Sequence, residues 1–291
     1  MKVLVSGSSG FIGGHVCEAL KAAGHYVIGM DVQRLNAMLC DDWITADITK
    51  PLAKIEGLDA VIHLAAIAAP RDCDADPARA YAVNVNGTHQ VLRMALESGA
   101  KKFVFSSSAH VYDIPPLYLP TDETARLRLN NTYTTTKVLG EQLCELYWEN
   151  HRLSYIALRL YNAYGADQAK GYFIPDMIAK AQSGDISLKG GGTTKDFVHV
   201  DDVARAFVLA VESSFVGGIN IGTGNEATLN EVAAEIALGY DRRFQETYPY
   251  VGATRMQADI RRAKQVLGWE PTISLKEGLG AIISASKVTI P

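Results

Sequence analysis

Only four cysteines occur in the 291 residues, Cys17, Cys40, Cys73 and Cys144, and no two of them are spaced as Cys-x-x-Cys. That leaves no zinc ligand set and no disulfide framework, so no metal is expected, and reduced thiols in a cytoplasmic protein are the simpler reading. Runs of Lys or Arg are also missing, and the net charge is -4. The electrostatic footprint of a nucleic-acid or anionic-membrane binder is therefore absent. No apolar stretch reaches the roughly 18 residues of a spanning helix. Met1 leads straight into the strand-like Val3-Leu4-Val5, which leaves no room for a signal peptide. Internal repeats and low-complexity linkers do not occur.

What is present reads as an ordinary globular chain, 48% hydrophobic and 21% charged, long enough for one large core or two unequal ones. Lys2 to Ser6 is a short β-branched run. It is followed by Gly7-Ser8-Ser9-Gly10-Phe11-Ile12-Gly13 and by a helical pattern through Val16, Ala19, Leu20 and Ala23. Strand, glycine turn and helix in that order suit a pyrophosphate, because glycine lets the backbone approach it and the helix N-terminus faces it. The spacing Gly7-x-x-Gly10-x-x-Gly13 differs from the standard Gly-x-Gly-x-x-Gly fingerprint. Tyr26 to Met30 reads as the second strand and Asp31 closes it, eighteen positions beyond Gly13. A carboxylate there accepts hydrogen bonds from ribose hydroxyls and repels a 2′-phosphate, which favours NAD over NADP; Arg34, a guanidinium able to hold that phosphate, is the contrary signal.

Asp47-Ile48 follows a third short strand and can reach an adenine edge, although an exposed loop aspartate reads equally well. Ala60 to Ala66 is almost uniformly apolar, as in a central parallel strand, and its small end residues let a cofactor lie against the backbone. His63 within it reads as structural. A helix is expected over Pro77 to Ser98; Asn84 inside it points either to a buried partner or to a local packing bond. Lys102 to Phe105 is the next strand and ends in Ser106-Ser107-Ser108. Tyr133 and Lys137, four residues apart, share one face of a further helix, with the ammonium beneath the phenol. A nearby positive charge is what makes a phenol usable as a base near neutrality. Alone, Tyr-x-x-x-Lys is most often a surface pair.

Together these segments resemble the extended short-chain dehydrogenase/reductase family, and within it the NAD-dependent sugar-nucleotide epimerases and dehydratases. The likeness rests on Gly7-x-x-Gly10-x-x-Gly13, Asp31, Asp47-Ile48, His63-Leu64-Ala65-Ala66, Asn84-x-Asn86-Gly87-Thr88, Ser106-Ser107-Ser108-Ala109-x-Val111-Tyr112 and Tyr133-x-x-x-Lys137. Arg159 to Gly165, Lys195 to Asp202, Asn220 to Gly224, and Ala258 to Trp269 continue it in order.

The resemblance implies an α/β fold, a Rossmann-type doubly wound parallel sheet with a smaller C-terminal substrate domain. The NAD-binding part would be 1–165 with 196–222 returning to it, and the substrate part 166–195 and 223–291. It also implies roles. Tyr133 takes a proton from a sugar hydroxyl, Lys137 lowers the Tyr pKa and binds the nicotinamide ribose, and Ser108 hydrogen-bonds the reacting oxygen, with Ser107 as fallback. Gly7, Gly10, Phe11, Ile12, Gly13, Asp31, Asp47, Ile48, Leu64, Ala65, Ala66, Asn84, Ser106, Tyr133, Lys137 and Tyr161 would line the cofactor. Ser107, Ser108, Asn162, Lys195 and Arg255 would meet the substrate. Dehydratases of the family carry Asp-Glu after the catalytic Thr, where this chain has Ala109-His110, so a UDP-sugar 4-epimerase is the expected activity. A net dehydrogenase, reductase or dehydratase of a nucleotide sugar or sugar acid is the alternative within the oxidoreductases, and a non-catalytic dinucleotide sensor the alternative outside them. Lys195 stands where the family usually has Arg, which is not an equivalent fork. A homodimer is implied through the helix after Pro77 and that of Tyr133, with Val138, Leu139, Leu143 and Leu146 suited to it or to the subunit's own core.

Overall fold

The structure is a computed structural model and describes residues 1–248 and 254–288. Alternating apolar runs and helices build β1 (Lys2–Ser6), α1 (Phe11–Ala22), β2 (Tyr26–Asp31), β3 (Asp42–Thr45), β4 (Ala60–His63), α2 (Pro70–Ala75), α3 (Pro77–Tyr81), α4 (Thr88–Glu97), β5 (Lys102–Ser108), α5 (Thr132–His151) and β6 (Ser154–Leu160). The second half contributes β7 (Asn162–Tyr164), α6 (Phe173–Ser183), β8 (Ile186–Lys189), β9 (Thr194–Lys195), β10 (Phe197–His199), α7 (Val200–Glu212), β11 (Gly217–Ile221), β12 (Ala227–Thr228), α8 (Leu229–Gly239), β13 (Phe244–Tyr248), α9 (Arg261–Leu267) and α10 (Leu275–Val288).

Seven strands form one sheet in the order β11-β6-β5-β4-β1-β2-β3, and every neighbouring pair is parallel. Strand order reverses between β1 and β4, so a crevice opens beyond their carboxyl ends, the position at which doubly wound sheets take ligands. Central strands of such a sheet are covered on both faces and so carry apolar side chains in both directions. On one face Val16 and Leu20 of α1 pack with Val203, Phe207 and Val211 of α7; on the other Val91, Leu92 and Ala95 of α4 pack with Cys144 and Tyr147 of α5. A third core lies outside the sheet, where Ile174 and Ile178 of α6 meet Val232 and Ile236 of α8 and Leu279 and Ile283 of α10.

Two expectations need correction. The helix over 77–98 is divided, with a π-helical stretch at Ala82–Gly87 between α3 and α4. A β carbon on Gly87 would lie 2.7 Å from Ile48 Cδ1, so the helix comes close to the chain after β3 at this point. Residues after 222 are not confined to the substrate part: Ala263, Leu267 and fully buried Trp269 belong to the core of the large sheet. Of the two roles open to Val138, the structure gives it the core: it packs with Val111 and Tyr112 in the subunit's own interior. Among the described residues no helix is long and apolar enough to cross a membrane.

Candidate active site

The glycine turn after β1 is shaped by contacts that exclude a side chain. Gly7 has φ +76°, and a β carbon on it would lie 2.6 Å from the Ala65 nitrogen; one on Gly13 would lie 2.1 Å from the Gly7 carbonyl oxygen. The turn is therefore pressed against the chain leaving β4 and against the start of α1. Gly10 is an extended N-cap with no side chain closing the helix end, and no acidic residue occupies the first turn. The backbone N–H groups of that turn have no partner within the helix, and with the positive end of the helix dipole they suit an anion. Ser8 Oγ is a further buried polar atom with no partner among the described residues. Such a cradle fits the pyrophosphate of a dinucleotide.

Asp31, at the end of β2, accepts hydrogen bonds from Ser9 N at 3.0 Å and Gln33 N at 3.2 Å. Asn36 Nδ2 donates to the Ser8 carbonyl at 3.0 Å, so the segment after Asp31 folds back on the glycine turn. Arg34 in that segment is exposed. The opposite wall is Leu64, Ala65 and Ala66, half-buried after β4, with Leu64 N bonded to Ser6 O at 3.0 Å. Asp47 is an exposed loop aspartate whose carboxylate accepts from Thr49 N at 2.9 Å, a bond that holds its pKa below the usual range. Two cofactor assignments change here. The Ile48 side chain belongs to the core beneath Gly87. The Asn84 amide is used on protein: its Oδ1 accepts from Ile67 N at 2.8 Å, and its Nδ2 donates to Ile67 O and Thr136 Oγ1, each at 3.0 Å. Asn84 thus ties the loop after β4 to α5 and does not point into the crevice.

Of the three serines that end β5, Ser106 and Ser108 share one face and Ser107 takes the other, because successive strand residues alternate faces. Ser108 Oγ accepts from His110 N at 3.2 Å and lies beside the Tyr133 phenol, whose pKa it lowers. Ser106 lends its carbonyl, which accepts from Lys137 Nζ at 2.7 Å. Ser107 turns the other way and donates to Glu141 Oε1 at 2.5 Å, so it cannot replace Ser108 and is not a substrate contact. Asn131 caps α5 by accepting from Thr134 N at 2.8 Å, which fixes where the helix of Tyr133 and Lys137 begins. The Lys137 ammonium lies 5.8 Å from the Tyr133 ring centroid and 5.2 Å from that of Phe105.

Burial dominates the titration of both groups. It pushes Tyr133 up to about 12 against the pull of Ser108. It pushes Lys137 down to about 8, with Cys73 and Glu141 opposing. Within the protein's own charges desolvation thus outweighs the ammonium, which is itself half-neutralised near pH 8. His110 stands edge-on to Tyr133 with ring centroids 6.4 Å apart, and burial together with Lys195 lowers it to about 4, leaving a neutral imidazole. His63, bonded to Ser6 Oγ at 2.6 Å and Thr88 Oγ1 at 3.0 Å, is lowered to about 3 by burial and is structural.

On the far side of the crevice Asn162 donates through Nδ2 to Asp196 O at 3.2 Å. Lys195 Nζ lies 3.1 Å from Met256 Sδ, and among the described residues no carboxylate pairs with it; burial lowers its pKa. Arg255, by contrast, is exposed and already forked onto Glu226 through Nε at 2.9 and 3.1 Å and through Nη2, so the expected second cation on the substrate is matched within the protein. Tyr161 is also corrected: it packs with Ala109, Met256 and Ala258 and its hydroxyl bonds to Thr121, which makes it core, and burial raises its pKa. Sequence reasoning missed Glu141 and Arg159, a buried pair behind Ser107. The signal was there, since Glu141 follows Lys137 by the same four positions that separate Lys137 from Tyr133.

The chain matches the family model described as the NAD dependent epimerase/dehydratase family over residues 3–222. It belongs to that family. Its cofactor is NAD, and the protein is an enzyme of the epimerase/dehydratase type. It is similar to a UDP-glucose 4-epimerase of Mycolicibacterium smegmatis, 32% identical over 97% of each chain. The fold is similar to that of MoeE5 in complex with UDP-glucuronic acid and NAD, with a TM-score of 0.90, 27% identity and complete coverage of both chains. It is equally similar to the UDP-glucose 4-epimerase of Thermotoga maritima with UDP-glucose, with a TM-score of 0.88, 29% identity and complete coverage of both.

Proposed function

We propose that this member of the family is a nucleotide-sugar 4-epimerase acting on a UDP-hexose through a transient 4-keto sugar. The observation that carries the reading is the convergence of Ser108, Tyr133 and Lys137 at the carboxyl end of β5, beside an Ala109-His110 pair that cannot supply the acid and base of a dehydratase. Bound NAD supplies a hydride acceptor for the sugar carbon and a positive charge that adds to that of Lys137. Tyr133 accepts the proton of the sugar hydroxyl, and Ser108, beside the phenol at the end of β5, hydrogen-bonds the same oxygen as it becomes a carbonyl. Return of the proton from Tyr133, with the hydride that bound NAD would give back to the opposite face of the sugar, would leave no cofactor consumed. Lys137, held by the Ser106 carbonyl, orients the nicotinamide ribose.

Gly7, Gly10, Phe11, Ile12 and Gly13 form the pyrophosphate cradle, Asp31 the ribose site, and Leu64 to Ala66 the facing wall. Lys195, half-buried and paired with no carboxylate among the described residues, is the cation for the substrate diphosphate, and Asn162, in the chain beyond β6, lies near it. UDP is preferred because the named relatives act on or bind UDP-sugars. A homodimer through the outer faces of α3 to α5 fits the exposed Leu146, 51%, and Tyr81, 39%. Light scattering at micromolar concentration decides that point, a mass of 31.5 kDa ruling the dimer out. Cysteines free of disulfides suit the cytoplasm.

The test is proton NMR of the purified protein with UDP-glucose, UDP-galactose, their N-acetyl forms and their uronic acids, without added NAD. A new anomeric signal at constant nucleotide concentration is expected. Stoichiometric NADH formation on adding NAD would replace the epimerase with a net dehydrogenase. Turnover of none, with NAD bound, would favour a sensor.

A further inference from the structure

Nothing in the proposed chemistry uses Glu141 or Arg159, yet they form an extended buried polar network behind β5 and β6. The Glu141 carboxylate accepts from Arg159 Nη2 at 2.7 Å and Nε at 3.0 and 3.3 Å, and from Ser107 Oγ at 2.5 Å. Arg159 Nη1 donates to the Tyr112 hydroxyl at 2.9 Å and to Glu123 O at 3.3 Å, and the Tyr112 hydroxyl in turn donates to Asn220 Oδ1 at 2.6 Å. All of Ser107, Tyr112, Glu141, Arg159 and Asn220 are less than one-tenth exposed. A buried ion pair is a poor source of stability, since desolvating two charges offsets their attraction and an apolar pair of the same volume often serves as well. What such a pair supplies is direction: the planar guanidinium fits a carboxylate in few orientations.

The direction imposed here bears on the reacting groups. Ser107 and Arg159 are register partners on β5 and β6, so the carboxylate of α5 is held by a cross-strand pair. Ser107 is covalently next to Ser108, and Glu141 is one turn beyond Lys137 on the same helix face. Close approach of helix and strand is allowed by Gly140, where a β carbon would lie 2.3 Å from Phe105 Cζ. Fixing Glu141 over Ser107 therefore fixes the sliding and rotation of α5 along β5, which is the coordinate that sets Tyr133 against Ser108.

We propose that Glu141, clamped by Arg159 and Ser107, is a positioning residue that sets the register of Tyr133 and Lys137 against Ser108. The inference rests on the triad reading given above and adds a residue to it. None of the three clamp side chains reaches the crevice, so a loosened clamp misaligns the reaction and leaves substrate binding nearly intact.

The experiment compares wild type, Tyr133→Phe, the double variant Glu141→Leu with Arg159→Met, and the pair Ser107→Ala and Ser107→Thr. The double variant removes both charges at similar volume and is expected to melt no lower than wild type, with KM within about threefold and kcat at least ~10-fold lower. Ser107→Ala should lose a few-fold in kcat, and Ser107→Thr, which keeps the hydroxyl, should regain it. A purely structural role would instead lower the melting temperature and leave kcat per folded molecule unchanged. Wild-type kcat in the double variant, or equal kcat for Ser107→Ala and Ser107→Thr, overturns the positioning role while an inactive Tyr133→Phe leaves the triad standing. Full activity of Tyr133→Phe overturns both.

Discussion

The two walls of the crevice are made of different material. Around β1, α1 and β2 the site is backbone: glycines chosen for what they lack, helix N–H groups, a strand-end carboxylate. Around β5 and α5 it is side chain: a buried phenol, a buried ammonium and the Ser108 hydroxyl, with an ion pair behind them. A dinucleotide pyrophosphate needs close approach and a diffuse positive field, which backbone provides at no desolvation penalty. Proton transfer needs a titratable atom at one point, and holding it there requires polar side chains in the interior.

Breaking each wall at its own kind of element sharpens the contrast. Tyr133→Phe keeps packing and removes one oxygen; kcat should fall at least ~10²-fold while NAD released on denaturation stays stoichiometric. Survival of turnover would displace the phenol from its role. On the backbone wall Gly13→Ala puts a methyl 2.1 Å from the Gly7 carbonyl oxygen, where no side chain can yield. NAD should bind at least ~10-fold more weakly, about 1.4 kcal/mol by calorimetry, with Tyr133 and Ser108 undisturbed. Unchanged affinity would mean the turn does not carry the pyrophosphate.

Lys137 tests the conflict between chemistry and stability. Its folded pKa of about 8 lies below the ordinary 10.5, so between these values the unfolded chain binds the extra proton. Wild-type stability therefore rises with pH through that window, and below pH 8 the burial penalty is complete. Lys137→Met should be inactive yet more stable than wild type at pH 7, by up to about 3 kcal/mol, the gain shrinking by pH 9.5. Thermal melts at the two pH values check it; a pH-independent difference would deny that the ammonium is desolvated. The smallest effect is expected at Arg255. Because it is exposed and paired with Glu226, Arg255→Ala should shift substrate KM by less than about threefold, whereas Lys195→Ala should raise it at least ~10-fold. Reversed magnitudes would exchange the two cations.

The backbone wall was the more legible in sequence, for a physical reason. Gly7, Gly10, Gly13 and Asp31 act within one strand-turn-helix-strand unit, so spacing alone conveys their geometry. The same holds for Tyr133 and Lys137, which share one helix. Residues whose partners come from elsewhere were misread. Asn84 was given to the cofactor because its amide partners, Ile67 and Thr136, are 17 and 52 positions away. Ser107 was given to the substrate because its partner Glu141 lies 34 positions on. Arg255 was taken as free because Glu226, on a separate loop, does not announce itself. The π-helical turn at Ala82–Gly87 was hidden as well, since periodicity over 77–98 cannot register one residue of widening.

Trp269 and Asp202 bear on how the protein is held as one piece. The indole Nε1 donates to Asp202 O at 2.9 Å, and the Asp202 carboxylate accepts from Thr272 N and Ile273 N at 3.0 Å. After building most of the α6–α8 core the chain thus returns to the core of the large sheet before leaving again for α10. Neither core is therefore drawn from one uninterrupted stretch of chain, and a split placed between α8 and α9 should yield two fragments that fold only together.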